Sequence, residues 1–323
     1  MILASLLLLT SSCVHEWPED VSPRRSIILN ITHSQGWNQH EMTVTRAENP
    51  GVLARFHFQI FNAGSATSPI AEYVFTSSDL DRKDFSMAIE LCAGSYDLYA
   101  WSDYCDINSG ISLYFNTSDF TSIHYTEPYQ GNNETRDAFR GMSSFTVENT
   151  LEAEYHQTVE LQLERPLARY EFRATDIMKF IEQETTRGEL TRDAALKVQG
   201  IDKYRVNMIY TGYMPSKFNN ILNRPVDSRL GMRYDANIVI LSDSEEARLG
   251  FDYVMVNGHE SSIPVALEVY NTKGEMIART NSVNVPTQRA RNTIIRGKFL
   301  TSMATGGIGI NPDFDGDFNI EIR

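Results

Sequence analysis

The stretch FSMAIELCAGSYDLYAWSD (Phe85–Asp103) decides the fold class. In its first half Phe85, Met87, Ile89 and Leu91 alternate with Ser86, Ala88, Glu90 and Cys92, the period of a strand with one buried face. The pattern breaks at Ala93-Gly94-Ser95 and an aromatic-rich run follows, so the spacing predicts a β-hairpin turning there. The same alternation recurs upstream. Ile27, Leu29 and Ile31 face one way while Ile28, Asn30 and Thr32 face the other, and Phe56, Phe58 and Ile60 alternate with His57, Gln59 and Phe61. Such strands, spaced by Gly, Asn, Pro and Asp, are those of a β-sandwich.

Downstream, residues 102–133 read as long loops with short strands, and a further strand is expected over 154–163. Glu164-Arg165-Pro166 interrupts the pattern and marks a boundary, after which a strand runs from Leu167 to Ala174. Thr175-Asp176 offers an N-cap for a helix whose apolar face is Ile177, Phe180 and Ile181, and a second helical stretch is expected over 190–198. Strand signals return at 204–210, 238–241, 251–256, 265–270, 277–285, 292–300 and 318–322, with a hairpin turn at Thr272-Lys273-Gly274-Glu275. The chain is therefore expected to be mostly β, with two tandem β-sandwich domains at 25–164 and 165–323 and a short helical insertion in the second.

The N-terminus reads differently. MILASLLLLT runs into Ser11, Ser12 and Cys13. The apolar run has the length of a signal-peptide core and is too short to span a bilayer as a helix. Small residues directly before a cysteine look like a bacterial lipobox, which makes 1–12 a lipoprotein signal peptide and Cys13 the lipidated residue. The other reading is a buried N-terminal strand with a free thiol. VHEWPEDVSP (14–23), with two prolines and three acidic groups, reads as a solvated tether within 13–24.

Composition narrows the function. The 323 residues carry 42 acidic and 29 basic groups, a formal charge of −13, which argues against nucleic acid or anionic lipid as the main partner. Of three cysteines, Cys92 and Cys105 would stand tens of ångströms apart in the expected hairpin at ~3.3 Å per residue, so no disulfide is expected. No G-x-S-x-G, H-E-x-x-H, C-x-x-C or phosphate-binding glycine loop occurs, and the seven histidines are scattered singly. No catalytic residue and no cofactor is expected. The one calcium-like spacing is Asp313, Asp315 and Asp317, but its glycine, Gly316, stands fourth where an EF-hand loop needs it sixth. The plainer reading is a polar turn feeding the last strand.

Two further features bear on function. Arg46-Ala47 lies in a polar connector (35–50) between the first two strands, where a trypsin-like protease would reach it. Cutting there would detach the strand of Ile27, Leu29 and Ile31 and leave a groove able to accept a strand from another subunit. The alternative is an uncut loop arginine. Tyr96, Tyr99, Trp101, Tyr104, Tyr114, Tyr125 and Tyr129 form the second feature: exposed, they would suit a sugar-binding surface, and buried, they would fill the core.

IELCAGSYDLYAWSDY (Ile89–Tyr104), GNNETRDAFRG (Gly131–Gly141), ERPLARYEFRATDI (Glu164–Ile177), VPTQRARNTIIRGKFLT (Val285–Thr301) and INPDFDGDFNIEI (Ile310–Ile322) together give the chain a length-wide resemblance. It resembles the Bacteroidales fimbrillin-like (FimA-like) surface lipoproteins of type V pili. That resemblance implies two transthyretin-like sandwiches, export as an outer-membrane lipoprotein on Cys13, and polymerisation with other fimbrial subunits by strand exchange after a cut at Arg46. It implies a fimbrial subunit or surface adhesin facing a host or bacterial receptor. The alternative class is a surface glycan-binding lipoprotein of a polysaccharide-uptake system, and an enzyme is the third.

Overall fold

The computed structural model describes residues 24–33, 49–65, 67–79, 85–150, 157–192, 198–241, 245–258, 260–301 and 319–322. The strands run in chain order as β1 (Arg25–His33), β2 (Val52–Asn62), β3 (Ala71–Ser77), β4 (Phe85–Leu91), β5 (Gly94–Asp106), β6 (Phe115–Asn116), β7 (Ile123–Tyr125), β8 (Phe139–Val147) and β9 (Gln157–Glu164). Then come β10 (Leu167–Ala174), helix α1 (Ile177–Thr186), β11 (Thr191–Arg192), β12 (Val198–Gln199), β13 (Arg205–Tyr210), β14 (Met214–Asn219), β15 (Arg224–Arg229) and β16 (Arg233–Asn237). The last are β17 (Val239–Ile240), β18 (Ala247–Met255), β19 (Ser261–Tyr270), β20 (Met276–Arg279), β21 (Val283–Thr287), β22 (Asn292–Gly297) and β23 (Asn319–Ile322).

The first seven-stranded sheet has the order β3-β2-β5-β8-β9-β1-β4. β8 and β9 pair only at Arg140–Glu164 and Gly141–Leu163, and from that seam the sheet opens into two layers. β3-β2-β5-β8 faces β9-β1-β4 across a core of Phe56, Phe58, Ile60 and Leu98 against Ile27, Leu29, Ile31 and Leu161. Phe56 of one layer stacks on Phe85 of the other with centroids 5.1 Å apart. The second sandwich packs β17-β18-β10-β22-β23 over β16-β13-β19-β20, with β21 also on β19. A third sheet, β15-β14-β7-β6, takes two strands from before residue 164 and two from after it, paired at Phe218–Ile123 and Lys217–His124. The two halves of the chain thus share a sheet and one continuous core that includes Trp101, Phe115 and Phe218.

Several expectations hold. Among the described residues the architecture is mostly β with sandwich layers and one short α-helix, β10 spans the predicted residues, and α1 buries Ile177, Phe180 and Ile181. Asp176 stands at the N-cap position, but its carboxylate accepts instead from the Leu300 and Thr301 amides at 3.1 and 2.8 Å, tying the helix start to the chain beyond β22.

Others are corrected. β4 and β5 do not form a hairpin: β4 pairs with β1, while both ladder edges of β5 are taken by β2 and β8. The turn is a corner between layers, with the Tyr96 hydroxyl folded back onto the Cys92 carbonyl at 2.9 Å. Cys92 and Cys105 are not joined in a disulfide, and the hairpin argument made for their separation fails. The described ends of 190–198 are the short paired strands β11 and β12 rather than helix, and 277–285 divides between β20 and β21. β2 and β5 are buried on both faces, because residues 111–125 cover the side that alternation assigns to solvent.

Candidate functional site

Of the residues singled out in the sequence, Cys13, Arg46, Ala47, Asp313, Asp315 and Asp317 lie outside the described residues. Ile27, Leu29 and Ile31 lie within them. They project from β1 into the first core and are at most 1% exposed. β1 is an interior strand, parallel to β9 (Ile27–Gln157 through His33–Leu163) and antiparallel to β4 (Arg25–Leu91 through Ile31–Phe85). Its alternating aliphatic side chains therefore make this position, with ladder bonds on both edges. Removing β1 would leave two strand edges and one apolar trench between β4 and β9.

Away from this groove, on the other face of β2 and between the two halves of the chain, lie two buried polar networks. In the first, the Arg55 guanidinium grips Asp103 in a fork (Nε–Oδ1 2.8 Å, Nη2–Oδ2 3.0 Å), and Ser112 donates to the same carboxylate at 2.6 Å. Arg55 Nη2 also donates to Thr117 Oγ1 at 2.8 Å. That leaves the threonine proton for His57 Nδ1 at 2.9 Å, so His57 carries its own proton on Nε2 and donates it to Glu72 at 2.6 Å. Burial, and then the nearby Arg55 charge, lower the His57 pKa below 6.5 against the raising effects of Glu72 and Asp103. A lowered folded value means that the unfolded chain binds more protons between that value and 6.5. Stability should therefore fall as pH drops below 6.5 toward the folded pKa, and the fall should shrink in His57→Gln. Urea unfolding of both proteins between pH 7 and about pH 5 checks this, and parallel curves would contradict it.

The second network joins the two halves. Arg136, in a short 3₁₀ turn at Glu134–Arg136, is 1% exposed and places its Nε 2.9 Å from Oδ1 of fully buried Asp252 on β18. That N–H is not aimed along the contact, so this is a close ion pair rather than an aligned hydrogen bond. Tyr129 and Tyr210 both donate to Asp252 Oδ2, and the Tyr253 amide donates to Oδ1 at 2.8 Å. Burial pushes both tyrosine hydroxyls well above their ordinary value of 10, so they stay protonated as donors. The guanidinium also lies over the rings of Tyr129 and Tyr125 at 4.6 and 4.9 Å. Nearby, the Asn220 side chain bonds the Ala100 carbonyl and Arg140 at 3.0 and 3.1 Å, fixing the β14–β15 turn against β5 and β8.

The tyrosines singled out in the sequence are divided among the cores. Tyr96, Tyr99, Trp101, Tyr104, Tyr114 and Tyr125 are buried and Tyr129 is partly so. The sugar-binding reading thus loses the ring platform on which it rested. Sequence reasoning missed Arg55, Asp103, Arg136, Asp252 and Asn220. One signal was available: Asp252 is the lone charge in GFDYVMV (Gly250–Val256), and a charge in a strand that apolar demands a buried partner. Among the described residues, no three His, Cys, Asp or Glu side chains converge as metal ligands would.

The chain belongs to the family of unknown function DUF6562, whose model matches residues 23–323. No curated protein matches the sequence. Among solved structures, the chain is similar to the fimbrial anchor protein Mfa2 from Porphyromonas gingivalis at 13% identity and TM-score 0.44, over 84% of this chain and 90% of that one. It is also similar to the tip fimbrial protein Mfa3 from Porphyromonas gingivalis with C-terminal truncation, at 9% identity and TM-score 0.45, over 93% and 99%. A fimbrial assembly protein from Parabacteroides distasonis gives 12% identity and TM-score 0.39, over 88% and 93%.

Proposed function

We propose that this protein is a non-catalytic fimbrial subunit or fimbria-associated adhesin, held on the cell surface through a lipidated Cys13 and joined to its neighbours by exchange of β1. The observation that carries this reading is β1 itself: a short, self-contained strand with three fully buried aliphatic side chains, tied to the sandwich through the connector that contains Arg46-Ala47. After a cut at that bond only non-covalent contacts would retain the strand. Its loss would expose apolar surface worth roughly 1.5–3 kcal/mol for each buried aliphatic side chain, which an incoming strand would recover. Limited trypsin treatment followed by size-exclusion chromatography tests this. Oligomers should form from the wild type and not from Arg46→Ala; a chain that is cut there and stays monomeric would refute strand exchange.

The anchor has its own test. Each buried acyl CH₂ adds roughly 0.8 kcal/mol to membrane affinity. Cys13→Ala should therefore move the protein from the outer-membrane to the soluble fraction and abolish labelling by an alkyne fatty acid. Unchanged partition without labelling of the wild type would remove the lipid from the reading.

A further inference from the structure

We propose that the groove now filled by β1 reads the register and the charge of its occupant through Ser86 on β4 and Glu160 on β9; this rests on the strand-exchange reading above. Apolar side chains at every second position fix which face of a strand points inward. A slide of two residues keeps two of the three aliphatic places filled and brings Arg25 or His33 to the third, so the inward face fixes part of the register. A contact on the outward face would sharpen it.

Asn30 is placed to do so. It lies directly opposite Ser86 on one side and Glu160 on the other. Its amide nitrogen donates to Glu160 Oε1 at 2.9 Å, and its amide oxygen accepts from Ser86 Oγ at 2.8 Å. A carboxamide offers a donor and an acceptor at one position, which is what this pair of neighbours requires. Sliding β1 by two residues would bring Ile28 or Thr32 to the same point. The isoleucine bonds neither neighbour, and the shorter threonine, which can both donate and accept, would have to reach both neighbours from a single oxygen.

Charge adds a repulsive element. The outward residues that face β1 are Glu90, Ala88 and Ser86 on β4 and Thr158, Glu160 and Gln162 on β9. Their only charges are carboxylates, with Glu90 opposite Ser26 and Glu160 opposite Asn30. A strand with an acidic side chain at either place meets a like charge directly across the ladder, and such repulsion is how specificity against wrong partners is built. The partner strand is therefore defined chemically. It carries three alternating aliphatic residues, a carboxamide between the second and third, and no acidic group on its outward face.

The test uses the full chain with a protease site placed in the connector, so that β1 can be released and replaced by labelled RSIILNITH peptides. The peptide with Glu in place of Asn30 should bind at least about tenfold more weakly than the natural one, and Glu160→Gln in the acceptor should recover most of that loss. Equal binding of the two peptides would overturn the proposal. If no peptide enters, the exchange reading fails and the partner definition falls with it. A melting cycle in the uncut chain, with Asn30→Glu and Glu160→Gln singly and together, separates the cases. Coupling there leaves the pair as a lock on β1 alone, and its absence overturns the register reading itself.

Discussion

Asp252→Ala should destabilise the protein by about 3–5 kcal/mol in urea unfolding, because it strands the buried Arg136 guanidinium without its counter-charge. It also leaves the hydroxyls of Tyr129 and Tyr210 without their shared acceptor. A paired replacement sharpens the test. Asp252→Leu with Arg136→Met should cost clearly less than Asp252→Ala, since a buried ion pair replaced by apolar side chains of similar size is often neutral or better. A loss below about 1 kcal/mol for the single variant would show that the pair is not the seam it is taken for. The same network bears on the boundary at Glu164–Arg165. A fragment 165–323 has no Arg136 for Asp252 and no β6 and β7 for β14. We therefore expect it to lack a cooperative melt of its own, although it contains every strand of the second sandwich.

The second large effect is at β1. Leu29→Ala should cost about 2–5 kcal/mol, and truncation of Ile27, Leu29 and Ile31 together at least about 6 kcal/mol, the range for Leu or Ile to Ala in a close-packed core. That sum rivals the whole stability of an ordinary domain. The triple variant should lose the near-ultraviolet signal of the first sandwich and bind a hydrophobic dye. Substitution at outward Thr32, which is exposed, should change little and serves as the control. A triple variant that unfolds like the wild type would mean that β1 is not a structural member of the sandwich.

What could be read in advance follows from what period-2 alternation encodes. It reports faces, so β1, β4, β10 and β13 were legible, as were Ile27, Leu29 and Ile31 as an inward set. It does not report neighbours, and for that reason Phe85–Asp103 looked like a hairpin while its two strands lie in different layers. β14 and β15 gave no signal because Pro215, Asn219, Pro225 and Asp227 break the pattern. These strands exist through pairing with one another and with β7, which is tertiary information. The polar seam was hidden for the same reason. Arg55 and Asp103, or Arg136 and Asp252, become buried only when residues far apart in sequence cover them.

The parallel pairing of β1 with β9 has a consequence for the order of folding. Asn30 and Glu160 are 130 residues apart in sequence, so one edge of β1 has no partner until nearly half of the chain has been made. Contacts of such long range form after local ones, since closing the larger loop costs more entropy. The strand made first is thus among the last to dock, and the trench between β4 and β9 stands open in the interval. If strands are exchanged as proposed, β1 of one copy would meet the open trench of another in the same state. The topology itself places each nascent chain at a choice between closing on its own strand and closing on a neighbour's.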